Sequence, residues 1–108
     1  MRLTAFALLL LIGLPAPASA DQITALDAVK SQQGVTDAQI DGGGTLWVMV
    51  KPNPKVAWDQ YAAYMCGVVR RHQARVFVTR IVDMTSTGRG KKSSEWKVLA
   101  QMNCGRLQ

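Results

Sequence analysis

Cys66 and Cys104 are the only cysteines in this chain, and His72 is its only histidine. That inventory decides which chemistries are open. A redox dithiol normally sits as C-x-x-C, and a metal centre wants more sulfur or imidazole than one histidine adds. The pair reads instead as a structural disulfide, closing a loop of roughly 39 residues and contributing about 3–4 kcal/mol in the chain-entropy model. His72 has no carboxylate or nucleophile at an informative spacing, so acid–base and nucleophilic catalysis have no anchor. No G-x-S-x-G elbow presents a serine, and no pair of carboxylates stands out. An enzyme is not expected.

The segment Thr85 to Ser94 (TSTGRGKKSS) invites comparison with a phosphate-binding loop. Its spacing is not G-x-x-x-x-G-K-S/T, and β-like segments flank it where a helix N-terminus is needed. No nucleotide, metal or other cofactor is therefore expected. What remains is charge: Arg89, Lys91 and Lys92 sit close together, with Lys97 just beyond. Such a tip can meet an anionic surface through salt-sensitive attraction. A second basic cluster, Arg70, Arg71, His72 and Arg75, lies at a helix-to-strand turn. Arginine offers a planar fork to a carboxylate or phosphate, and cations also complement the negative end of a helix dipole.

Residues 1–20 have the pattern of a secretory signal peptide. Arg2 supplies the positive start, Phe6 to Leu14 the apolar run, and Ala18-Ser19-Ala20 a small-x-small site with cleavage expected between Ala20 and Asp21. The apolar run is about half the ~20 residues that a bilayer-spanning helix needs. Export places residues 21–108 in the periplasm or outside the cell, where thiols oxidise. That length suits one small domain. It carries twelve Lys/Arg against seven Asp/Glu, and the excess is uneven: residues 21–50 sum to −3 and residues 51–108 to +8. A basic half on an exported domain points to an acidic protein, cell-wall polymers or anionic lipid headgroups, and nucleic acid is disfavoured.

The elements that must position these residues follow from periodicity. Residues 22–33 place apolar side chains at near-helical spacing, with Gly34 just past the end. Residues 35–40 form a weak strand, Asp41-Gly-Gly-Gly44 a tight turn, and residues 45–51 (TLWVMVK) a clear strand. Asn53 is expected to cap a helix whose first residue is Pro54, running over residues 55–72 with Trp58, Tyr61, Ala62, Met65, Cys66 and Val69 on one face. Residues 75–84 (RVFVTRIVDM) are strand, and residues 95–103 (EWKVLAQMN) are strand, with Trp96, Val98, Ala100 and Met102 on one face.

The order α-β-β-α-β-β predicts an α+β two-layer sandwich: a four-stranded, mainly antiparallel sheet with two helices on one face. The Cys66–Cys104 bond then ties the second helix to the last strand. If Leu46, Val48 and Val50 face the helices, Trp47 and Met49 face away, and either Phe77 and Ile81 or else Val76, Val78 and Val82 are expected to join them, with Trp96 or Leu99 adding to that face. An uncovered apolar face rimmed by Arg and Lys marks an interaction surface. The expected function is a non-enzymatic interaction module that binds a protein partner or self-associates. Trp47, Met49 and Phe77 serve as its apolar anchors, and Arg89, Lys91 and Lys92 as its electrostatic contacts. The alternatives are an inhibitor of an exported enzyme and a binder of an anionic envelope surface.

Overall fold

The computed structural model describes residues 17–106, and side chains over residues 22–105. Most of the expected signal peptide thus lies outside the described residues. Two helices and four strands follow in the order α1 (Pro17–Lys30), β1 (Val35–Ile40), β2 (Thr45–Val50), α2 (Trp58–Arg71), β3 (Val78–Asp83) and β4 (Val98–Asn103). The sheet order is β1-β2-β3-β4. The β1–β2 and β3–β4 pairs are antiparallel, while β2 and β3 run parallel. Parallel neighbours need a crossover, and α2 provides it. The α+β sandwich expected from the element order is what forms.

Both helices pack on one sheet face. Ala25 and Val29 of α1, with Ala62, Met65, Val68 and Val69 of α2, bury against Leu46, Val48, Val50 and Ile81. The alternation read in β2 therefore assigns its faces correctly. Cys66 and Cys104 are bonded, with their Cα atoms 5.3 Å apart, and pin α2 to the end of β4. The Thr79 hydroxyl lies 3.5 Å from Cys66 Sγ and 3.1 Å from Cys104 Sγ. Bonded sulfurs carry no proton, so Thr79 is the donor, and this fully buried hydroxyl is satisfied by the bridge itself.

Besides the first helix, which spans Pro17–Lys30 and not residues 22–33, three element boundaries differ from the sequence reading, each for a local reason. Asn53 does not cap α2: its Oδ1 accepts from Lys55 N–H at 2.9 Å, and its carbonyl accepts from Val56 N–H at 3.1 Å. A side chain that closes its own turn competes with helix entry, so α2 begins only after Ala57. Arg75 falls outside β3 because Gln22 of α1 takes its N–H at 2.6 Å. Glu95 falls outside β4 because it closes a short 3-10 turn, its carboxylate accepting from Lys92 N–H at 3.0 Å.

A fourth difference concerns β4. Ala100 pairs with Ile81, but Val98 pairs with the next residue, Val82. Leu99 is thus the extra residue of a bulge, and a one-residue slip exchanges faces. Ala100 and Met102 pack on the helix side, whereas Val98 and Trp96 do not. The four residues expected on one face are split between two. A matching bulge at Thr36 lets Val35 pair with Val50 while Asp37 pairs with Met49.

The β1–β2 turn is held by Asp41, whose Oδ1 accepts from Gly43 N–H at 2.9 Å and Thr45 N–H at 3.0 Å. Gly44 has a φ of +86°, and a Cβ there would lie 2.5 Å from Cδ2 of Phe77. Gly44→Ala should therefore lower stability by about 2–3 kcal/mol, read from the denaturant midpoint. Adding Phe77→Ala should recover only the steric part of that loss. Replacing both cysteines by alanine should cost about 3–4 kcal/mol, read the same way.

Candidate functional site

The sheet face turned from the helices is not open. Trp47 and Met49 are only 5% and 6% exposed, and Val82 is fully buried. The cover is the β3–β4 connection, residues 84–97. Trp96 from this segment meets the Trp47 ring edge-on at 5.2 Å, and Met84 joins the same cluster. The guanidinium of Arg80 lies 5.1 Å from the Trp47 ring centre and donates to Gln101 Oε1 at 2.9 Å. Trp47 donates its indole N–H to Asp41 Oδ2 at 3.0 Å. Trp47 and Met49 are thus outward-facing but enclosed, and they offer no exposed anchor. Phe77 is 52% exposed but stands apart from them, against Gly44 and beside the disulfide.

The basic segment is a strap rather than a free tip. Asp83 Oδ1 accepts from the N–H and hydroxyl of Thr85, and Ser86 Oγ donates to Asp83 O and accepts from Lys97 N–H. Arg89, Lys91 and Lys92 remain exposed along it. Of the other basic cluster, Arg70 donates to Cys104 O at 3.4 Å, and His72 closes α2 through its backbone. Arg70 and Arg75 flank a cavity of about 250 Å³ beside the disulfide. Among the described residues no three of His, Cys, Asp and Glu are grouped to hold a metal ion, and no helix is long and apolar enough to cross a membrane.

A concavity with convergent side chains lies elsewhere. A cleft of about 820 Å³ opens where β2 ends, between the α1–β1 turn and the first turns of α2. Concavities at the carboxyl ends of parallel strands are common ligand positions in α/β units. Trp58, Tyr61 and Tyr64 line it from α2, Gln32, Gln33 and Thr36 from the turn, and Lys51 and Asn53 from the segment after β2. Their spacing on α2 (i, i+3, i+6) brings the three rings to one side of the helix.

These rings are held in place. Trp58 and Tyr61 meet edge to face at 5.2 Å and 87°. Tyr61 donates its hydroxyl to Gln33 O at 2.7 Å, and Tyr64 donates to Gln32 Oε1 at 2.7 Å. Burial, with a smaller contribution from Tyr64, pushes the Tyr61 phenol above its ordinary value and keeps it a donor. No Asp, Glu, His, Cys or Ser lines the cleft. Sequence reading assigned Trp58 and Tyr61 to the buried face of α2 and passed over Tyr64. The available signal was the aromatic triplet itself, but its complement comes from segments distant in the chain.

Trp47→Ala should cost about 3–5 kcal/mol of stability, since it empties a packed site. Acid should act on the same cluster. The Asp41 carboxyl is held below its ordinary 3.8, first by the Trp47 indole N–H, then by Thr45 N–H, and further by Gly43 N–H and Arg80. Asp83 is likewise held below 3.8, mainly by the hydroxyl and N–H of Thr85. A carboxyl depressed in the fold stabilises it above the unfolded value and loses that contribution as pH falls through the folded one. The urea midpoint should therefore drop as pH is lowered from about 5 through the carboxylate range, and the drop should be shallower in Asp41→Asn.

No family model, curated protein or solved structure matches this chain.

Proposed function

We propose that this protein is exported, to the periplasm or the medium, and works there as a small non-enzymatic interaction module whose binding site is the aromatic cleft. The observation that carries this reading is the make-up of the cleft. Fixed aromatic faces and amide groups line it, and no carboxylate, imidazole, thiol or serine is present to serve as base or nucleophile. Such a surface is suited to holding a partner.

Export is supported by the pattern of residues 1–20 and by the Cys66–Cys104 bond. Cleavage after Ala20 would fall within the backbone span of α1 and leave Ala25, Leu26 and Val29, through which that helix packs, on the mature chain. The sheet face once expected to anchor a partner is closed by the strap, so the cleft takes over that role.

A second reading is contact with an anionic envelope surface. It draws on the exposed Arg89, Lys91 and Lys92 of the strap. The two readings separate by salt and by mutation. Mature protein recovered from the exported fraction should begin at Asp21 by N-terminal sequencing. An intact N-terminus in the cytoplasmic fraction would overturn export. Material captured on the immobilised domain should be lost with Tyr64→Ala and persist in high salt; loss with salt and with alanine at 89, 91 and 92 would support the surface reading instead.

A further inference from the structure

The polar groups around the cleft define what kind of molecule it suits. Tyr61 and Tyr64 have both turned their protons inward, to Gln33 O and Gln32 Oε1, and Thr36 Oγ1 donates to Met49 O at 2.9 Å. Their oxygens therefore face a ligand as acceptors. Asn53 Oδ1 is occupied by Lys55 N–H, which leaves its Nδ2 as a donor, and Lys51 adds its ammonium to the lining. The lining thus offers both acceptors and donors together with two aromatic rings set at right angles.

A polyproline segment offers only carbonyl acceptors and would leave the phenolic and threonine oxygens unpaired. A cationic ligand would meet Lys51 without any carboxylate in the lining. A sugar fits both conditions. Its hydroxyls donate and accept, and its C–H faces stack on aromatic rings. Val35 and Val56 also line the cleft and add apolar surface to it. An acetamido group matches that combination, placing a methyl on the valines and a carbonyl before Asn53 or Lys51.

We propose that the cleft binds an N-acetylated oligosaccharide, stacked on Trp58 and Tyr61 and hydrogen-bonded through Asn53, Lys51 and the tyrosine oxygens. The proposal rests on the cleft being the binding site of an interaction module and names its ligand. The test is titration of the purified exported protein with a tetramer of β-1,4-linked N-acetylglucosamine, followed by tryptophan fluorescence and backbone amide shifts. Parallel arms use the deacetylated tetramer, a proline-rich peptide and an acidic peptide.

Saturable binding of the acetylated tetramer is expected, with shifts confined to residues 32–36 and 51–64. Asn53→Ala and Tyr64→Ala, at exposed side chains, should each weaken it about tenfold or more while the melting temperature holds. Alanine at 89, 91 and 92 should leave it unchanged. Equal binding of the deacetylated tetramer would overturn the acetamido assignment. Binding of a peptide at the cleft and not the sugar would overturn the glycan proposal and leave the interaction module standing. No saturation with any probe would remove the support for both.

Discussion

A four-stranded sheet with apolar residues on both faces has helices to cover only one. That constraint shapes the rest of this molecule. On the helix side, α1 and α2 close over Leu46, Val48, Val50 and Ile81. On the other side, Trp47, Met49 and Val82 would be left to water, at about 25 cal/mol for each Å² of apolar area exposed. The β3–β4 connection solves this by folding back, setting Trp96 against Trp47, and spanning the sheet as a strap. The basic residues of that connection are displayed because the segment beneath them is fixed. Their exposure is a by-product of covering the second face.

The helix α2 serves two ends of the fold at once. Its carboxyl half carries Cys66 into the bridge with Cys104, under Thr79 and against β4. Its amino half turns Trp58, Tyr61 and Tyr64 toward the cleft. Covalent fixation of one end steadies the geometry of the other, because a helix moves as a rod. The tyrosine bonds to Gln32 and Gln33 add a second attachment, from α2 to the α1–β1 turn.

How much of this could be read from residues alone depended on range. β1 and β2 followed from alternation and the Asp-Gly-Gly-Gly turn, because strand period and turn chemistry are local. The disulfide followed from arithmetic on two cysteines. Outward orientation of Trp47 and Met49 was legible too, but orientation is not exposure, and the cover comes from residues more than thirty positions away. The Leu99 bulge was hidden because EWKVLAQMN alternates apart from Leu99 itself, and only pairing with β3 shows that this residue is the extra one. Asn53 misled because the same side-chain oxygen can cap a helix or close a turn, and only the surrounding chain decides. The cleft was hidden because three separate segments build it, and the aromatic triplet on α2 does not by itself show what faces it.

The two bulges have a consequence at the rim of the sheet. Among the described residues β1 and β4 each have one unpaired side, and an unpaired strand invites another chain to extend the ladder. Thr36 and Leu99 interrupt both, so an incoming strand finds regular spacing over only part of either edge. Lys97 and Gln101 along the β4 side, and Asp37 and Gln39 along β1, add polar side chains to those short runs. A small domain that folds among its own copies is exposed to them while its strands are still unpaired. Interrupted edges keep that crowded interval from ending in stacked chains.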